Sequence, residues 1–365
     1  MKKYLVAISV ITQALAACST PNSNLNNQYY TMVDYYAVKK IDAHVHANNS
    51  STAFIMQAKN DNMKLLSINV DYQDFPNIDK QAEIAHQFAK EHPNKFYFAT
   101  TFSMEGSNNG QWKNNVIKRI DAEIGEGAVA VKVWKNIGMA EKDNKQNLIM
   151  IDDPLFTPIF KHLTDIHIPL IGHQGEPKNC WLPVSQMTVN NDKQYFTAHP
   201  QYHMYLHPEM PSYEDQMQAR NNMLNNHPTL QFMGAHLASL EWSVDQISIF
   251  LDTYPDAVVD LAARMGQIQY QSTLDRSKVR NFFIKYQNRI LYATDLTHSP
   301  TVSDAQFKSQ AHKKWLEDWQ YLTSNQTISV PEVDGEIISL ALPKNVIDNL
   351  YAKNAIRFFN LAPKT

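Results

Sequence analysis

The chain has 365 residues, 33 basic against 36 acidic side chains, a formal charge of −3 and 44% hydrophobic residues. That is enough apolar material for one large buried core, and nothing in so balanced a charge suggests nucleic acid. A small molecule is therefore the expected partner rather than DNA or RNA.

The N-terminus reads as a targeting segment. Lys2 and Lys3 are followed by a largely apolar run, Tyr4 to Ala14, that is too short to span a bilayer comfortably. Leu15-Ala16-Ala17-Cys18 resembles a bacterial lipobox. The resemblance implies a signal peptide over residues 1–17, a lipid on Cys18 and a flexible tether over 18–30. It also implies attachment to a membrane of the cell envelope, on the periplasmic side. An ordinary cleaved signal peptide with an incidental cysteine is the alternative. Only Cys18 and Cys180 are present, so lipidation of Cys18 precludes an intramolecular disulfide and leaves Cys180 as an unpaired thiol in a loop.

From about residue 38, short runs rich in β-branched and aromatic residues alternate with helical patterns. The runs predict strands near 38–46, 64–70, 95–101, 128–134, 167–173, 229–236, 256–262 and 289–295. Between them, Ala82, Ala85 and Ala89 recur at the spacing of one helix face. Eight strands alternating with helices predict a (β/α)8 TIM barrel, one domain over residues 31–365; an open doubly wound sheet is the competing arrangement. No Gly-rich phosphate loop opens any helix, which weakens a nucleotide-binding version of that sheet. Two connections are long. Gln174 to Asn222, after the fifth strand, is rich in His, Tyr, Pro and Met and reads as a lid or substrate wall, with Trp181, Tyr195, Tyr202, Tyr205 and Tyr213 as its aromatic side chains. Thr323 to Leu342 follows the last strand.

The strand ends carry the chemistry. Alternation along Ile41-Asp42-Ala43-His44-Val45-His46 sends both histidines to one side. Three later apolar runs finish in His173, His236 and Asp295. Barrels build active sites at that end of their strands, and scattered core histidines have no reason to gather there. Neutral imidazoles with one carboxylate suit zinc, and also accept manganese, iron or cobalt.

The motifs IDAHVH, VKVWKNIGM, LIGHQGEP, GAHLASLEW, VVDLAAR, RILYATD and LYAKNAIRFF resemble those of the amidohydrolase superfamily, in its amidohydrolase-related branch that includes aminocarboxymuconate-semialdehyde decarboxylase. That resemblance implies that His44, His46, His173 and Asp295 bind one divalent metal, usually zinc. It implies that His236 is the general acid/base beside the reacting water. Two chemistries remain open on such a site. One is hydrolysis of a small amide, ester or lactone; the other is non-oxidative decarboxylation. A lipid-anchored binding protein without turnover is the reading from another class, and self-association as a homodimer is left open.

Strand parity adds two cations. In Ala128 to Trp134, Val129, Val131 and Val133 share the outward face, so Ala130, Lys132 and Trp134 point inward. A buried lysine is costly unless it has a role. Lys132 could pair with a carboxylate, bind an anionic substrate group, or be carboxylated to bridge a second metal. Arg264, beyond Asp260 and Ala262, lies near the mouth, where its planar fork suits a substrate carboxylate or a supporting salt bridge. His199, His203 and His207 have helical spacing, but Pro200 and Pro208 interrupt it, so they read as lid residues. His92 and His227 read as helix ends before prolines.

Overall fold

The computed structural model describes residues 28–361. The expected signal peptide and lipobox, Cys18 and most of the expected tether lie outside the described residues. Residues 28–30 had been expected in the tether, but they are already packed: Tyr29 bridges to Pro343, and Tyr30 donates from its hydroxyl to Asp348 at 2.9 Å. Among the described residues no helix is long and apolar enough to cross a membrane.

Strands form at all eight places that the sequence marks, each shorter than expected. They are β1 (Lys40–Ala47), β2 (Met63–Ile68), β3 (Phe96–Thr101), β4 (Val131–Val133), β5 (Leu170–Gly172), β6 (Phe232–Gly234), β7 (Val258–Asp260) and β8 (Ile290–Leu291), with a further piece β9 (Leu296–His298). The sheet runs β8-β7-β6-β5-β4-β3-β2-β1-β9 and its neighbours are parallel. β8 and β9 are consecutive pieces of one segment, one paired to β7 and the other to β1. Ala43 N also donates to Tyr292 O at 3.0 Å, so this segment closes the ring. With helices between the strands, this is the TIM-barrel fold.

Two apolar clusters flank the sheet. Ile41, Leu66, Ala99, Ala130, Ile171, Met233, Val258 and Leu291 form the inner cluster. Leu65, Phe98, Val131, Val133, Leu170, Phe232, Val259 and Ile290 pack outward under the helices. Val131 and Val133 follow the expected parity, whereas Val129, ahead of β4, packs against the inner cluster. In β1 the alternation is broken. Asp42 pairs with Leu65 but Val45 with Ser67, a one-residue bulge. The extra residue lets Ala43 belong to the inner cluster while His44 and His46 also face the site, the re-aiming that bulges provide.

The long connection after β5 ends earlier than expected. Its body, from Gln174 to Ser212, is a set of short 3-10 turns around the helix Asn190–Ala198. Cys180 is buried there as a free thiol, donating to Tyr202 O and accepting from Met204 N. From Tyr213 to Asn226 the chain is the crossover helix to β6, opened by a capping box in which Ser212 and Asp215 bond each other's backbone N–H. The segment after the last long helix is not bare loop, because Thr327–Ser329 and Glu336–Ile338 pair as an antiparallel hairpin.

Candidate metal centre

The ends of β1, β5, β6 and β8 bring the five expected residues together. One side-chain ligand atom each from His44, His236 and Asp295 lie within 4.8 Å of one another. His46 Nε2 lies 3.1 Å and His44 Nε2 3.3 Å from Asp295 Oδ1. The His173 ring is 4.1 Å from that of His236, centre to centre. The tightest trio therefore contains His236, to which the resemblance gives the proton-transfer role, with His46 and His173 on its flanks.

Three of the four imidazoles, those of His44, His46 and His236, are oriented through Nδ1. His44 Nδ1 meets Asp260 Oδ2 at 2.8 Å, His46 Nδ1 meets Ile68 O at 2.7 Å, and His236 Nδ1 meets Ala262 O at 2.9 Å. A carbonyl or carboxylate there takes the Nδ1 proton, leaving an Nε2 lone pair aimed into the site, the arrangement by which metal-binding histidines are usually held. Asp260 is the residue that sequence reading missed. The sequence marks it only as a residue preceding Arg264, yet it also accepts His236 N at 2.7 Å and Ala262 N at 3.2 Å. The polar position closing the apolar run of β7 is the signal that could have found it.

The electrostatics suit a cation. Burial holds His44 below the ordinary imidazole range, and His173 and His236 well below it, so all three stay neutral. Burial opposes ionisation of Asp295, but His236, His46 and His44 outweigh it and hold its carboxyl well below the usual carboxylate range. His173 Nε2 is buried with no hydrogen-bond partner among the described residues. Neutral imidazoles with fixed lone pairs, one orphaned nitrogen and one carboxylate fit a divalent metal.

Backbone strain gathers at the same place. His236, Leu237, Ala238 and Ser239 all have φ between 55° and 58°, a full left-handed turn, and Ala263 and Asp295 are left-handed too. Such residues cost roughly 1–2 kcal/mol each. External bonds hold the turn: Tyr213 Oη donates to Ser239 O at 2.6 Å, the Arg220 guanidinium donates to Ala238 O, and Ser239 Oγ donates to Gln174 O at 2.8 Å. Gly234 is needed just before it, because a Cβ there would lie 2.4 Å from that of Ala238.

The two inward cations are both present. Lys132 is fully buried, its Nζ has no hydrogen-bond partner among the described residues, and burial lowers its pKa to about 8 against the pull of Asp260 and Asp295. Arg264 is buried, donates to Ala263 O at 3.0 Å, and keeps an unsatisfied Nε. Beside it lies Glu241, another residue not singled out from sequence. Burial pushes its carboxyl up to about 7, and it accepts Lys178 N at 2.9 Å.

Among the segments that follow β2, β4 and β5 opens a cavity of about 650 Å³, lined by none of the five metal-site residues themselves. The Phe75 ring joins it to the centre, 5.0 Å from the ring of His46. Of the lid histidines, His207 lines this cavity, whereas His203 is buried against Leu182 O. His92 and His227 cap helix ends as expected.

No family model and no curated protein matches the sequence. Solved structures do. A 2,6-dihydroxybenzoate decarboxylase from Rhizobium superposes with a TM-score of 0.51 at 14% identity, over 88% of this chain and 99% of that one. A structure described as an amidohydrolase II gives 0.51 at 13% identity, over 88% and 100%. The chain shares the TIM-barrel fold of these two structures. At these identities the likeness concerns the barrel, and the site rests on its own geometry.

Proposed function

We propose that this chain is a metal-dependent hydrolase that adds water to a small amide, ester or lactone whose acyl part is carboxylated or cyclic. The observation that carries the reading is the convergence of neutral, oriented imidazoles and an ionised Asp295 at the strand ends. His44, His46, His173 and Asp295 would hold the ion, with zinc first and manganese, iron or cobalt also compatible. When bound, the ion supplies Lewis acidity that polarises a carbonyl and acidifies water.

The chain's own groups do the rest. His236, neutral and fixed by Ala262 O, accepts a proton from the attacking water and returns it to the leaving nitrogen or oxygen. Asp260 keeps His44 in its tautomer and stabilises positive charge on the site. Lys132 and Arg264 receive a substrate carboxylate. The lipobox supports attachment of the enzyme to the bacterial cell envelope through a lipid on Cys18.

Decarboxylation is the second reading, favoured by the cationic pair Lys132 and Arg264 and by the Rhizobium decarboxylase among the superposed structures. There His236 would take the acid proton of the substrate's carboxyl group at Nε2 and pass it to the carbon that loses carbon dioxide. Product analysis on a panel of small carboxylated amides, esters, lactones and aryl acids separates the two. Two products with one water consumed supports the hydrolase, released carbon dioxide supports the carboxy-lyase, and no turnover with metal bound supports a binding protein.

A further inference from the structure

The cavity next to the metal centre, joined to it by the Phe75–His46 ring contact, differs in charge from the buried Lys132 and Arg264 of that centre. Its wall is aromatic: Tyr72 stands 4.6 Å from Trp134 and 5.2 Å from Phe75, ring centre to ring centre. Its charges are mostly negative. Asp71, Glu141, Glu176 and Glu209 line it, against Lys135 and His207. Lys135 is taken up by Glu176, and His207 lies 3.4 Å from Glu209. Asp71 and Glu141 therefore face the cavity with no cationic partner among the described residues. Their only side-chain hydrogen bonds come from neutral donors, Met104 N and Asn136 Nδ2. Aromatic faces attract cations through the ring quadrupole, by about 0.5–2 kcal/mol, and uncompensated carboxylates in a concave site add to that attraction while repelling an anion. Lys135 Nζ already sits 5.2 Å from the Trp134 ring centre, so this wall accepts an ammonium group in the folded chain.

We infer that the substrate carries an ammonium or other organic cation on the arm that points away from the reacting carbonyl, with its acidic or carbonyl end lying inward toward Lys132 and Arg264. The substrate class is thus an amine-bearing or zwitterionic compound with a flat or compact apolar body. That the cation belongs to a substrate rests on the hydrolase reading; that the cavity prefers a cation does not. This bipolar layout selects orientation. A molecule with its carboxylate outward would meet Asp71 and Glu141, and its cation would meet Lys132.

Isothermal titration calorimetry on the purified full chain tests this without turnover or added metal. The probes are 3-hydroxyphenyltrimethylammonium, its neutral isostere 3-tert-butylphenol, and 3-hydroxybenzoate. The expected result is binding of the cation at least tenfold tighter than that of the neutral isostere, with the benzoate weaker in this cavity. Asp71→Asn with Glu141→Gln should bring the cation and the isostere to within about threefold of each other. Both side chains are partly exposed, and circular dichroism confirms that the double variant is folded. Equal binding of the cation and its isostere by the native chain, or an unchanged preference in the folded double variant, overturns the inference and leaves the hydrolase reading intact. Cation preference in a chain that binds no metal would leave the cavity assignment standing and remove the hydrolase.

Discussion

Tyr213→Phe is a minimal test of what holds His236 in place. The tyrosine hydroxyl bridges two groups, donating to Ser239 O at 2.6 Å and accepting from Trp242 Nε1 at 2.8 Å. The Trp242 indole is partly exposed and can turn to water, but Ser239 is buried and its carbonyl loses that partner. Leaving such a group unpaired costs about 1–3 kcal/mol, comparable with the strain of one left-handed residue. The turn from His236 to Ser239 should therefore loosen at its C-terminal end, while Ala262 O and Asp260 still hold the histidine itself. Urea denaturation should show a stability loss of about 1–3 kcal/mol, and hydrogen exchange should speed up at Ser239 N and Leu240 N, which close the turn onto His236 O and Leu237 O. If about 1.4 kcal/mol of that loss reaches the placement of His236, kcat falls tenfold, with KM and metal content unchanged. Native stability together with native exchange in this segment would refute the claim that outside bonds hold the turn.

Other outcomes follow from the same geometry. His44→Ala and Asp295→Ala should each strip the metal, read by elemental analysis, and stoichiometric metal in both would remove them from the ligand set. His236→Asn should keep the metal and lower turnover by roughly two to four orders of magnitude, whereas an unchanged rate would take it out of proton transfer. The Glu241 carboxyl sits above its ordinary value, at about 7, so folding takes up a proton between its unfolded pKa near 4.5 and pH 7. Its contribution to stability therefore declines as pH rises through that window; urea denaturation between pH 4.5 and 7 should show stability changing with pH, and Glu241→Gln should make that change less negative by the share of one proton, the rest coming from groups such as Asp42, also pushed up to about 7. Cys18→Ser should shift the protein from the membrane to the soluble fraction, and continued membrane association would sink the lipid anchor.

Much of this arrangement was legible because barrel strands are short apolar runs and the chemistry sits where each run stops. His173, His236 and Asp295 were found that way, and Lys132 by parity. What escaped lies between elements rather than along them. The β1 bulge is a pairing event, and counting residues in one strand cannot reveal that Ala43 and His44 both turn inward. Asp260 has a role only once β1 and β7 are known to flank the β8–β9 segment. Tyr213 and Arg220 lay in a stretch read as lid, although the Ser212 and Asp215 capping box marks the start of a regular helix there. The left-handed run from His236 to Ser239 has no local signature beyond Gly234, since nothing in its side chains favours positive φ.

The most direct test of the central claim is elemental analysis of the chain, purified without added metal and again after exposure to zinc or manganese and removal of excess ion. The site predicts about one divalent ion per chain, lost in His44→Ala and retained in His236→Asn. No ion before or after loading would contradict a metal centre built from these histidines and Asp295.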